Sequence, residues 1–488
     1  MLPDDIVIAI INYATTGIES DLLKWKPALH ILGINRQWRA LAKPAVFKHG
    51  YVGGTLPLHK NEHEVVTNMP LISHSAGTYY VKTLSINHTA KDSIDELLLA
   101  IGQVTNSKWP NIQRLCIFSH FASYPSSTRV LSHEQSKYAN RLATDFVDSI
   151  PRIRTLHVMA TRTDSLYHEF IATVMNQTFT TINHFTYKGA LFDLKHGTRM
   201  CLETADITFT SGLDNALVAI NPEPLRQLRL GNIGPSYTWS QFLAPNTAES
   251  VTFSNLQTCV LSNVGLSSLA APRHEAPTLA SVKPPILHFP KLRDLTVCGE
   301  WPQNARIKSM LSPPLEHLEL QWWLPDFDQL DIPHLHFLRS VQVQYTLDSK
   351  STNPEFFEKT NQLMRRINRA MFVKFTLYSV SESLLWQQAQ WPHLAALQVD
   401  LCADIPQILT LLNEFPHLRW FKMCRLLDSS DYLTRDALLA KLQVTQPPTM
   451  SLKLFSLEFR PQLADAALDA HLQLLWWYFP QLSKLDFP

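Results

Sequence analysis

The chain has 488 residues, more than one hydrophobic core ordinarily holds, so its length excludes a single small module and favours several domains or an array whose core grows by repetition. Apolar residues make up 45% and charged residues 17%, a balance that excludes disorder. With 43 Lys and Arg against 42 Asp and Glu, the formal charge of +1 excludes a global field for nucleic acid or an acidic membrane, although a local patch is compatible with it.

Residues 1–48 read as a small helical lobe. Leu2-Pro3-Asp4-Asp5-Ile6-Val7 puts proline at a helix start and acids in the first turn, and apolar residues continue at helical spacing through Ile10. A second helical stretch surrounds Leu22 to Leu32. A third covers Ile34 to Ala42, where Pro44 is expected to stop it. The acidic start lacks the basic segment of a signal peptide, and no apolar run approaches about 18 residues, which points to cytosol or nucleus and away from a membrane. A lobe this small is expected to lean on a partner or on the rest of the chain. Residues 49–79 read as a linker.

From residue 80 to 488 one unit recurs: a bulky apolar residue, Pro, any residue, then Leu-x-x-Leu-x-apolar. Clear copies begin at Trp109-Pro110, Ile150-Pro151, Phe289-Pro290, Trp391-Pro392, Phe415-Pro416 and Phe479-Pro480. Weaker copies include Leu225/Leu228/Leu230, Leu315/Leu318/Leu320, Phe372/Phe375/Leu377 and Leu454/Leu457/Phe459, giving about fourteen units in all. Helix-period stretches such as Ser93 to Ile101, Asn140 to Ile150, Asp404 to Leu412 and Ala464 to Tyr478 run between copies. Proline disfavours helix at the residue before it, so each unit reads as helix, stop, short strand. Strands joined by returning helices must lie parallel, so the predicted fold is α/β, a curved solenoid with strands on its concave face.

Period-two alternation then sends the third, fifth and seventh positions of each unit out of the concave face. Those chosen as candidate binding residues are His157, Arg229, Glu319, Gln342, Gln398, Trp420, Lys422 and Glu458. Trp420, an aromatic residue expected to lie exposed beside mixed charges, has the composition of an interaction hot spot.

Chemistry-bearing motifs are scarce. Glycine numbers 14 against 31 prolines, and neither phosphate-cradling glycine pattern occurs. The six cysteines are widely spaced and read as reduced, mostly packed thiols. His317, His334 and His336 lack third-ligand spacing, so no metal or other cofactor is expected. Trp322-Trp323 and Trp476-Trp477 are expected to pack in or beside the solenoid.

The two ends of the lobe resemble the F-box: Leu2, Pro3, Asp4 or Asp5, Ile6 and Val7 at its start, then Ile34, Asn35, Arg36, Trp38, Arg39, Leu41, Ala42 and Phe47 at its close. Thr15 to Lys26 replaces the family's shorter middle link. The resemblance covers about a tenth of the chain, and with the repeats it is similar to fungal F-box/leucine-rich-repeat proteins. It implies a non-enzymatic substrate receptor of an SCF-type cullin ubiquitin ligase. The adaptor would meet Leu2, Pro3, Ile6, Val7, Ile10, Ile34, Trp38 and Leu41, and the repeats would hold a substrate protein. A non-ligase scaffold with the same fold and an α/β enzyme remain the alternatives.

Overall fold

Where the structure describes a Leu-x-x-Leu-x-apolar run, it is a short strand with alternate residues buried, as in Thr155–Ala160, where Leu156, Val158 and Ala160 are buried and Thr155, His157 and Met159 half-buried. This computed structural model describes residues 3–15, 25–53, 67–89, 93–120, 131–160, 164–189, 199–209, 219–231, 250–262, 286–298, 310–311, 314–321, 324, 335–345, 354–377, 391–427, 434–444, 446–447, 451–458 and 465–486. The chain divides into two compact units, Met1–Ala248 with Ser281–Pro284 and Glu249–Ala280 with Pro285–Pro488.

In the first unit seven strands pair in chain order, every pair parallel: His49–Val52, Thr83–Thr89, Arg114–His120, Thr155–Ala160, His184–Gly189, Thr204–Phe209 and Gln227–Gly231. Nine strands do the same in the second: Thr258–Ser262, Asp294–Cys298, His317–Gln321, Ser340–Tyr345, Phe372–Leu377, Ala396–Ala403, Trp420–Leu426, Leu454–Leu457 and Lys484–Asp486. Register follows the repeat, with Leu115 opposite Leu156 and Ile117 opposite Val158. Leu115 and Leu156 are both fully buried. Truncating one to alanine should cost about 2–5 kcal/mol, because its neighbours close the hole only partly.

The helices form where expected and stop for identifiable reasons. Ser132 and Gln135 close a capping box at the start of His133–Ser149, as Asp404 and Gln407 do for Ile405–Asn413. At the other end the bulky residue before proline seals the turn. The Trp109 indole N–H donates to the Val104 carbonyl at 2.9 Å, near the end of Ile94–Thr105, and Trp391 donates to the Met364 carbonyl at 3.2 Å. Both rings are buried, so one side chain fills the core and satisfies a helix-end carbonyl.

Several expectations need correction. The helix Arg36–Val46 runs through Pro44, because only its last turn follows the proline and Phe47 N–H still reaches the Lys43 carbonyl at 3.0 Å. The stretch read as a linker at 49–79 contains the strand His49–Val52 and the helix Met69–His74, so parallel pairing starts at residue 49 rather than 80. Residues 54–66 and the middle of the connection from Thr15 to Lys26 lie outside the described residues. Two strands carry units the pattern missed, Phe47/Gly50/Val52 and Leu202/Ala205/Ile207. Two weak copies slide by two residues: the buried sets are Ala370/Val373 and Leu452/Phe455/Leu457, not those beginning at Phe372 and Leu454. Among the described residues, some connections contain short strands as well. Arg199–Met200 pairs with Ala219–Ile220, and Ser250–Thr252 pairs with Ile286–His288, as small separate parallel ladders.

All six cysteines are free, but of these Cys259 alone is buried, while Cys201 and Cys402 are exposed, so close packing is not their general state. Among the described residues no helix is long and apolar enough to cross a membrane.

Candidate functional site

Three helices, Asp4–Thr15, Trp25–Ile34 and Arg36–Val46, make up the N-terminal lobe. Asn35 caps the third, its side chain accepting from Trp38 N–H at 2.9 Å, and Gln37 reaches back to the Asp4 carboxylate. The first helix buries Val7 and Ile11. It leaves Ile6 48%, Ile10 41% and Tyr13 86% exposed, and this i, i+4, i+7 spacing lines them up as one apolar stripe. Ile34, at the end of the second helix, is 55% exposed. Of the residues expected to meet an adaptor, Ile6, Ile10 and Ile34 are therefore surface groups, Pro3 is exposed, and Trp38 and Leu41 are half-buried. Val7 is corrected to a core position, fully covered, and Leu2 lies outside the described residues. Tyr13 is the group that sequence reasoning passed over; its place three residues after Ile10 was the available signal.

On the sheet of the first unit, register places Cys116, His157, Thr186, Asp206 and Arg229 in one row. His157 Nε2 is buried with no hydrogen-bond partner among the described residues, and its ring lies 5.4 Å from that of Phe118. Burial, helped by the positive charge of Arg114, makes this imidazole harder to protonate than usual, while Asp206 opposes the effect. Burial also pushes the Asp206 carboxyl above its ordinary range, with Arg229 and His157 pulling it back. Arg229 itself is exposed.

In the second unit Glu319, Gln342, Lys374, Gln398 and Lys422 form the corresponding row. Glu319 is a hub: its Oε1 accepts from Gln321 at 2.6 Å and from Gln342 at 2.8 Å, and its Oε2 accepts from Thr296 at 3.4 Å. Beside it, burial and the Glu319 charge push the Cys298 thiol up, so that sulfur stays protonated and unreactive. Lys422 pairs with Glu458 at 3.9 Å. Trp420 is half-buried on the same face while Phe421 behind it is fully buried, which agrees with the alternation read from the sequence. Phe372, Ala396 and Leu454 lie in register with Trp420 and extend an apolar strip alongside the polar row. Phe372 and Leu454 were missed because both were read as core.

Other expectations resolve as follows. Ser456, an outward position of its strand, is buried. Trp476 is 43% exposed, and Trp477 is half-buried with the Arg435 guanidinium 5.1 Å over its ring. Trp322, Trp323 and His334 lie outside the described residues. Among the described residues no group of three or more His, Cys, Asp or Glu is placed to hold a metal ion. Comparison with protein-family models gives no match, and neither does comparison with curated protein sequences.

Proposed function

We propose that the chain is a substrate-recognition subunit of an SCF-type cullin ubiquitin ligase, a binding protein rather than an enzyme. Its lobe acts as an F-box for the adaptor, and its parallel ladder acts as a leucine-rich-repeat solenoid that holds a substrate protein in the cytosol or nucleus. The observation that carries this reading is the apolar stripe of Ile6, Ile10 and Tyr13, exposed on a lobe whose last helix runs directly into the first strand of the ladder. Three neighbouring apolar side chains held in water are costly for a lobe this small, and an adaptor would cover them. The half-buried faces of the ladder, rich in Gln, Thr, Lys and Glu with an aromatic strip, have the mixed character of a protein-recognition surface.

The test is capture of the SCF adaptor by the purified full chain. Wild type should bind, and the double variant Ile6→Asp/Ile10→Asp should lose capture while keeping its circular dichroism and melting temperature. If the wild-type chain is folded and fails to capture the adaptor, the ligase reading gives way to a scaffold that offers the same stripe to another partner.

A further inference from the structure

The second unit carries a groove at the entry ends of its strands, beginning one residue before Phe372, Ala396 and Trp420. It is lined by the residues just before each strand, with a cavity volume of about 1280 Å³. That exceeds the range of roughly 300–1,000 Å³ usual for small-molecule pockets and suits a stretch of polypeptide. Its lining holds Lys291, Arg293, Arg339, Arg369 and Arg419 against one carboxylate, Glu316, in a chain whose formal charge is only +1. Glu316 meets Arg293 at 3.6 Å, and Arg369 lies 5.8 Å over the Phe337 ring. Arg339 and Arg419 have no carboxylate partner among the described residues. Phe337 and Met371, 40% and 51% exposed, supply apolar ground between these charges.

We propose that this groove binds an acidic, extended segment of a partner protein. Parallel pairing makes the groove linear: Asp294, His317, Ser340, Phe372, Ala396 and Trp420 stand opposite one another in successive strands, so Arg293, Arg339 and Arg419 precede the first, third and sixth. At about 4.8 Å between strands this row spans about 24 Å, which an extended peptide covers with about seven residues. Guanidinium groups spaced along such a line bind carboxylates through paired, charge-assisted hydrogen bonds, the usual chemistry of acidic-motif recognition. A nucleic-acid strand is less well matched. Continuous stacking is served best by a row of Phe, Tyr or Trp faces, whereas the lining has only Phe337 of that kind, with Arg369 already over it, beside the smaller rings of His393 and His417. The proposal does not rest on the adaptor contact, and adaptor capture by the lobe is measured separately.

Fluorescence anisotropy of the full chain with a labelled peptide of about ten residues, alternating Glu and Leu, tests it. Binding is expected with wild type, weakening as salt rises from about 50 to about 200 mM. It should fall about tenfold or more in Arg339→Glu/Arg419→Glu, and a control reversal at the exposed pair Lys137 and Arg141 on a helix of the first unit should leave it unchanged. If the Glu variant does not fold, Arg339→Gln/Arg419→Gln keeps the same reading with the charge removed. No binding by wild type, or equal binding by a folded groove variant, would overturn the proposal. Tighter binding of a labelled single-stranded oligonucleotide, lost in the same variant, would replace it with a nucleic-acid site.

Discussion

Phe372 and Trp420 stand two strands apart on one sheet face with only Ala396 between them in register, and their rings approach to 6.3 Å between centroids at a tilt of 32°. The small residue in the middle strand lets two large rings meet above it. The pair forms an apolar island beside the Lys374, Gln398 and Lys422 row, the kind of surface on which a few residues dominate binding.

Trp420→Ala should therefore change the unfolding midpoint little, because its ring is only half-covered, and should release protein partners that co-purify with the wild-type chain. Phe421→Ala, one residue on and fully buried, should cost about 3–5 kcal/mol in denaturant unfolding. If the two variants exchange these effects, the face assignment is wrong at this strand.

Two glycines should respond in opposite senses to alanine. Gly53 has φ +83°, and a Cβ there would collide with the backbone carbonyl of Asn87, so Gly53→Ala should destabilise by about 2 kcal/mol or more. Gly102 sits inside a helix with room for a methyl group against Leu142, so Gly102→Ala should stabilise by about 0.5–1 kcal/mol. Urea titrations of both variants provide the comparison.

Acid should weaken the first unit partly through His157. Its folded-state imidazole takes up a proton less readily than the ordinary value of 6.5, so as pH falls through 6.5 the unfolded chain protonates first and stability drops, levelling out below the folded value. Asp206 acts in the opposite sense at lower pH: its carboxyl is raised above 3.8, so the folded form takes up that proton first. Replacing His157 with Gln should flatten the fall in stability that begins as pH drops through 6.5. An unchanged slope would mean that other groups carry it.

The repeat was legible because its physics is local. Proline ends each helix, and leucine fills a buried position that recurs with every strand. It failed where another side chain does that work. At Gly50 a Cβ would lie 2.5 Å from the Met69 sulfur, so methionine from the following helix occupies the leucine's space and the strand leaves no leucine to read. Ala205 hides its unit in the same way, being too small to stand out although fully covered. The two-residue slips preserved the alternation along both strands, because a shift of two does so, but they moved Phe372 and Leu454 themselves from the expected core to the outer face. The basic groove was not legible. Arg293, Arg339 and Arg419 are far apart in sequence, and only the parallel register assembles them into a line.

The direct passage from lobe to ladder has a mechanical consequence. Val46 and Phe47 are buried, the Lys48 carbonyl accepts the N–H groups of Lys82 and Thr83, and Lys43 Nζ donates to the Ser75 carbonyl at 3.1 Å. No slack chain separates the last helix from the first strand. A molecule docked on the lobe is therefore held at a fixed reach and bearing from a molecule docked on the neighbouring strands, and their encounter is governed by rigid placement rather than by the effective concentration that a flexible tether would set.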